Sequence, residues 1–207
     1  MYSEFSVWLL LVAVGFAVLA AWNIIDVYVK KKKDINLHEG EEEWPLPDLG
    51  RTLIVYYSLG GKTRRLAQEI ASITGGKLYE ILPEREIKKA PFVYFSSRKY
   101  LNGGGYPPIV ADLPDPNYYD TIFVGSPVWW GKAAWPLAAY LEKTDFQGKK
   151  VIPFCTVRSD YGSFFEDFEK KAKNAKILEG EYFYNHSRKY DYVVRNKIRL
   201  WLNILEE

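Results

Sequence analysis

The spacing of apolar and polar residues changes character twice along the chain. Residues 5–25 form a continuous apolar run without a charged side chain, in which only Ser6 and Asn23 are clearly polar. At about 1.5 Å of rise per residue, such a run covers the roughly 30 Å hydrocarbon core of a bilayer as a helix. Between residues 30 and 50 the periodicity lapses. Four consecutive lysines, an acidic stretch around Glu41 and then Pro45 and Pro47 predict a solvated linker. From Arg51 onward, short apolar runs alternate with segments of helical period, the pattern of a parallel sheet covered by helices.

Strands are predicted over 52–57, 77–82, 121–125, 150–155 and 176–181. Helices are predicted over 62–73, 133–142, 163–173 and 189–205, with a short one near 92–101. In the first of these Leu66, Ala67, Ile70 and Ile73 share one face, and Gly75-Gly76 ends it. Pro153 lies inside the fourth strand, where it removes a ladder donor and argues against a central position. The expected organisation is an anchor over 1–29, a linker over 30–50 and an α/β domain over 51–207. The domain reads as a doubly wound five-stranded sheet, whose ligand crevice lies beyond the carboxyl ends of the strands.

Composition sharpens parts of this picture. With 207 residues, 48% hydrophobic and 16% aromatic, the chain has material for one packed domain and an appendage, which excludes global disorder. Trp8 lies near one end of the apolar run and Trp22 and Tyr28 near the other, where amphipathic rings favour the headgroup region. A cleaved signal peptide would carry positive charge ahead of a shorter run. Here Glu4 precedes the run and the lysines at 30–33 follow it, which points to a retained single-pass anchor. Those lysines keep their flank on the cytoplasmic side, so the domain is expected to face the cytoplasm. Lone Cys155 fits a reducing compartment. From residue 51 onward there are 24 Lys/Arg against 18 Asp/Glu, a net of +6. That balance suits an anionic lipid surface or an acidic partner, and equally a mixed solvated surface. No nucleic-acid motif accompanies it. One cysteine and two distant histidines, His38 and His186, form no metal-ligand cluster. His186 sits among polar neighbours and reads as a solvated residue.

Three strand-to-helix loops carry the candidate chemistry. The first, Tyr56-Tyr57-Ser58-Leu59-Gly60-Gly61-Lys62-Thr63, ends in Gly-Lys-Thr, but position 56 is not the glycine that a nucleotide-triphosphate loop requires. The third strand also lacks a terminal acidic magnesium ligand, which argues against an ATPase. What remains is a Ser/Gly/Thr turn at a helix start, where free amides and the positive helix end favour a phosphate. The alternative is that Ser58 merely caps the helix. The second loop, Ser126-Pro127-Val128-Trp129-Trp130-Gly131, offers two adjacent rings that cannot both point into a core, so they suit stacking on a planar ring or docking a partner. The third loop, from Thr156 to Ser163, brings hydroxyls, Arg158 and Tyr161 to the same crevice.

Taken together and in this order, the segments resemble the flavodoxin family from about Arg51 to the end of the chain. IVYYSLGGKTRRLAQEIA is similar to that family's phosphate loop, and YDTIFVGSPVWWGKAAWPLAAYLEKTDFQGKKVIPFCT to its ring-binding middle, in the branch with a Pro-x-Trp-Trp-Gly loop. SDYGS stands where that branch has its second ring loop. The resemblance implies strand order 2-1-3-4-5 and a non-covalent FMN. By position it assigns Ser58, Leu59, Gly60, Gly61, Lys62 and Thr63 to the phosphate. It assigns Ser126, Pro127, Val128, Trp129, Trp130 and Gly131 to one side of the flavin ring, and Thr156, Arg158, Ser159, Tyr161 and Gly162 to the other. Lys62, Arg64 and Arg65 depart from the family's commonly uncharged phosphate loop, and the basic, tethered domain departs from acidic, freely diffusing carriers.

The reading that follows is a membrane-anchored flavoprotein that transfers electrons to or from a redox partner protein. No side chain stands out as a catalytic acid or base. An NAD(P)H-dependent quinone or FMN reductase on the same fold is one alternative. A flavin-free interaction module built on Trp129 and Trp130 is the other.

Overall fold

The computed structural model describes residues 2–40, 45–85, 87, 96–100 and 105–205. A first helix, α1, runs over Tyr2–Leu37 and stands ahead of the domain. The domain is built on strands β1 (Thr52–Tyr56), β2 (Lys77–Glu80), β3 (Thr121–Trp129), β4 (Lys132–Ala133), β5 (Lys150–Val157), β6 (Lys176–Ile177) and β7 (Glu181–Tyr184). Between them lie α2 (Lys62–Thr74), α3 (Trp135–Lys143) and α4 (Phe164–Lys171), and α5 (Asp191–Ile204) closes the chain. The main path of the sheet is β2-β1-β3-β5-β6, with β4 paired to β3 and β7 paired to β5. All these pairings are parallel except the β3–β4 hairpin.

Alternation along the strands sorts the side chains into two layers, as the two-residue period of a strand requires. Leu53, Val55, Ile122, Val124, Val151 and Cys155 pack with Leu137, Tyr140, Leu141, Phe164 and Phe168, so α3 and α4 cover one face. Ile54, Tyr56, Phe123, Ile152 and Phe154 pack with Leu66, Ala67, Ile70, Val194, Ile198, Trp201 and Leu202, so α2 and α5 cover the other. The doubly wound α/β architecture is therefore present, with helices on both faces.

Three differences from expectation have physical causes. First, the predicted fifth strand is split. Val151 pairs with Ile177 and Phe154 with Glu181, so the edge carries one extra residue opposite Pro153. Pro153 has no N–H to give, and Gly180 approaches so closely that a Cβ there would lie 2.7 Å from the Pro153 carbonyl oxygen. The bulge is what lets a proline sit inside this strand. Second, β3 continues four residues past its expected end and turns back as a hairpin into β4. Third, the first part of the expected linker is helical. α1 passes through the four lysines to Leu37, and Asp34 and His38 are buried against the domain. Of the short helix expected near 92–101, residues 96–97 are helical and Arg98–Tyr100 form a 3-10 turn; the rest lies outside the described residues.

Candidate functional site

The first loop leaves β1 at the carboxyl edge of the sheet. The Tyr57 amide still donates to Gly125 O at 3.0 Å, holding the loop beside β3. The N-cap of α2 is Gly61, in the left-handed conformation at φ 80°, and no side chain caps the helix. Ser58 is therefore not the cap. Its Oγ is buried and has no hydrogen-bond partner. A buried hydroxyl without a partner carries a desolvation cost, so this atom is set up to receive a polar group that binds there. A Cβ at Gly60 or Gly61 would meet nothing within 4 Å, which leaves the approach to the helix start open. Of the cations beside the loop, Arg64 is occupied by Glu80 through two bonds of 3.1 and 2.6 Å. Arg65 donates to His186 O at 2.7 Å. Lys62 and Arg65 line one small cavity together with Thr156 and Asn185.

In the second loop, Trp130 and Gly131 form the hairpin turn with φ of 55° and 75°. Two successive positive φ values give a turn whose twist matches the flanking strands, and a bulky residue there is a backbone outlier. The two tryptophans have separate fates. Trp129, expected at an exposed stacking face, is 7% exposed and belongs to the core, because the strand reaches it and turns its ring inward. Its ring meets Tyr57 edge-on at 5.7 Å. Trp130 is half-buried, donates from Nε1 to Ser97 Oγ at 3.3 Å and lies under the Arg98 guanidinium. Ser126 is buried; its Oγ donates to Pro127 O and accepts from the Ala134 amide, so this hydroxyl serves the turn. Pro127 and Val128 are half-buried.

The third loop touches both others. The hydroxyls of Thr156 and Thr63 are 2.8 Å apart and buried. The Ser163 amide donates to Gly131 O at 2.8 Å, and the Gly162 backbone lies directly against Gly131. The three loops thus meet pairwise: Tyr57 on Trp129, Thr63 on Thr156, Gly131 on Ser163. The expected site residues are not all in one place, however. Trp129 and Trp130 border a cavity shared with Tyr100, Lys132 and Asp167. Tyr161 instead packs on Tyr182 and Phe165 and borders a separate groove with Pro153 and Glu169. Arg158 is exposed and Ser159 half-buried. Cys155, inside β5 and fully buried, has its thiol pushed well up by burial, which leaves it a core residue.

A family model described as Flavodoxin matches residues 51–203. The chain belongs to the flavodoxin family. Among solved structures, it is similar to a Bacteroides eggerthii protein assigned as a flavoprotein, at 26% identity and TM-score 0.66 over 76% of this chain and 98% of that one. It is also similar to a flavoprotein of Lactobacillus acidophilus solved in complex with FMN, at 26% identity and TM-score 0.58 over 64% of this chain and 92% of that one. An apo form of the flavoprotein from the same organism matches at 25% identity and TM-score 0.52, over 69% and 96%. No curated protein matches the chain in sequence.

Several residues beside the three loops of this flavodoxin carry little sequence signal. Tyr57 is 3% exposed, its hydroxyl is buried without a partner, and burial pushes its phenol upward. It adjoins Ser58 in sequence, but as the last apolar residue of a strand it reads as core. Asn185 presents a buried Oδ1 without a partner and lies in the cavity with Lys62 and Thr156. His186, read from sequence as solvated, is 4% exposed. Its Nε2 is 2.7 Å from Asp34 Oδ2 of α1, and that pairing is why a histidine among polar neighbours can be buried.

Proposed function

We propose that this flavodoxin-family chain is a membrane-anchored FMN protein that passes electrons between redox partners. The observation that carries the reading is the buried, partnerless Ser58 Oγ beside the uncapped start of α2. A helix start with free amides, an open glycine approach and a waiting hydroxyl fits a phosphate monoester. Ser58, Gly60, Gly61 and Lys62 would hold that phosphate, with Thr63 fixed by Thr156. Trp130, Gly131, Thr156 and Gly162 would border the ring, with Trp129 supporting the loop from the core. FMN, when bound, supplies the redox chemistry, and the chain supplies binding, orientation and exclusion of water. The FMN complex of the L. acidophilus flavoprotein supports the choice of flavin. Helix α1 contains the one candidate membrane span among the described residues, its apolar part free of the domain, which supports the anchor. The lysines at its polar end support a cytoplasmic domain.

The deciding experiment is an absorption spectrum of the purified full chain, followed by titration with FMN and anaerobic addition of NAD(P)H. The expected protein is yellow, or becomes so with FMN, and is reduced by NAD(P)H only when a separate reductase is added. A chain that stays colourless with excess FMN overturns the flavin reading. Rapid bleaching by NADPH alone overturns the carrier reading in favour of a reductase. Ser58→Ala separates phosphate holding from folding. It removes a hydroxyl that has no partner in the free chain, so stability is unchanged or slightly higher, while FMN binding weakens about tenfold through loss of about 1–1.5 kcal/mol. Equal weakening of riboflavin, which lacks the phosphate, would count against Ser58 in that role.

A further inference from the structure

Helix α1 does more than lead away from the domain. Its apolar part, residues 7–25, is exposed throughout, but from Asp26 onward a stripe of half-buried and buried positions recurs at 26, 27, 30, 31, 34, 35 and 38. That is the three-to-four-residue spacing of one helical face. Apart from Val27 and Ile35 the stripe is polar, and its contacts are specific. Asp34 places Oδ2 at 2.7 Å from His186 Nε2 and Oδ1 at 3.2 Å from Lys197 Nζ, with all three side chains less than 10% exposed. One turn before it, Lys31 Nζ donates to Asn185 O at 3.2 Å. Asn196 holds the end of the helix by donating to His38 O and Gly40 O.

This docking brings Lys31 to Asn185, which borders a cavity with Lys62 of the first turn of α2. Asn185, its hydrogen-bond partner, shares a cavity with Lys62, Arg65, Thr156 and Glu69, whose carboxylate is taken up by Arg195. The next residue, His186, is gripped from one side by Asp34 and from the other by Arg65 of α2. Lys31 lies beyond the apolar run. Its ammonium is held below the usual lysine range by burial, and then by the charges of Lys62 and Arg158. Cations from two separate elements, Lys31 of α1 and Lys62 and Arg65 of α2, therefore stand around Asn185. With Glu69 held by Arg195 and Arg65 shared with Asp191 at 3.5 Å, the ammonium groups of Lys31 and Lys62 favour an anion between them.

We propose that Lys31 is a cofactor-binding residue, so that the anchor helix itself supplies a cation to the phosphate end of the FMN site. The inference rests on the reading of this site as an FMN site and adds a residue outside the flavodoxin domain to it. Docking of α1 and binding of FMN are then linked, each strengthening the other by the same factor. The recognised chemistry is a phosphate group. The phosphate is that of FMN, and a lipid headgroup is the competing source.

The test uses the full chain in nanodiscs of zwitterionic lipid, titrated with FMN and with riboflavin by quenching of flavin fluorescence. The quantity read is the ratio of the two affinities. Lys31→Ala is expected to lower the FMN preference about tenfold, the range for a hydrogen bond to a charged group, and to leave riboflavin binding unchanged. Lys31→Arg retains most of the preference. An unchanged ratio overturns the proposal, as does equal loss for both flavins, which would mark Lys31 as structural only. Loss confined to binding of vesicles containing anionic lipid, with the ratio intact, assigns Lys31 to lipid and overturns it as well. If the unmodified chain binds neither flavin, the FMN reading itself fails and this inference falls with it.

Discussion

At the scale of single residues, the three loops depend on backbone that only glycine can supply at one contact. Gly162 has φ 58°, and a Cβ there would lie 2.6 Å from Gly131 Cα and 2.8 Å from Gly131 O. Backbone cannot swing aside as a flexible side chain can. Gly61 has a similarly positive φ of 80°, yet its Cβ would meet nothing within 4 Å. The two positions therefore separate strain from collision. Gly61→Ala is expected to cost about 1 kcal/mol of stability from the left-handed conformation alone. Gly162→Ala is expected to cost more, about 2–4 kcal/mol, and to move the second loop away from the third. Urea unfolding of the two variants checks the ranking. Equal midpoints would show that the Gly131 contact does not constrain the loops.

At the scale of elements, the parts legible in the sequence are those fixed by apolar periodicity. The first strand, α2 and the run from β3 to α3 follow from hydrophobic spacing, and the positions of the three loops follow from them. Hydrophobic spacing could not show which loop residues face which cavity. Trp129 is core because β3 extends to it, and that extension depends on a turn at Trp130-Gly131 without the usual Asn-Gly signal. Tyr161 is drawn off by Tyr182 and Phe165, which arrive from other elements. The bulge opposite Pro153 needed knowledge of the neighbouring strand. The docking stripe of α1 was illegible for a different reason: a face on which only Val27 and Ile35 are apolar, beside Lys31, Asp34 and His38, has helical period but little hydropathy contrast. One inter-element bond is testable by itself. Thr63 Oγ1 and Thr156 Oγ1, 2.8 Å apart and buried, join α2 to β5. Thr63→Val or Thr156→Val alone leaves a buried hydroxyl unpaired and is expected to cost about 1–2 kcal/mol; the double variant costs less than the sum of the singles. A coupling energy near zero in that cycle would show that the bond does not tie the loops together.

At the scale of the whole molecule, what matters is whether the helix and the domain move as one body. Asp34 is the charge on which that depends. Around it stand His38 on its own helix, His186 after β7 and Lys197 of α5, with Glu181 at 3.4 Å from Lys197. Burial alone would raise the Asp34 carboxyl, but the His186 hydrogen bond and the Lys197 charge outweigh it and hold the group below the usual carboxylate range. A depressed carboxyl stabilises the docked state at pH values above its undocked value, about 4. That contribution is lost as the pH falls through the lower, docked value. Docking is thus expected to be complete at neutral pH and to loosen below about pH 4. Asp34→Ala leaves His186 buried without its acceptor and is expected to cost about 3–5 kcal/mol of docking at neutral pH. Lys197 keeps a bond to Tyr182 O at 2.8 Å, so α5 should stay in place. Spin labels at Lys33→Cys and Arg188→Cys, both exposed positions, report the helix-to-domain distance directly. The unaltered docking face should give one narrow distance distribution at neutral pH that broadens on acidification while the near-ultraviolet dichroism of the domain persists. Asp34→Ala should already be broad at neutral pH. A narrow distribution in that variant would mean that the domain is held to its helix by the remaining stripe, and that Asp34 is only a bystander in a contact maintained by Lys31 and Asn196.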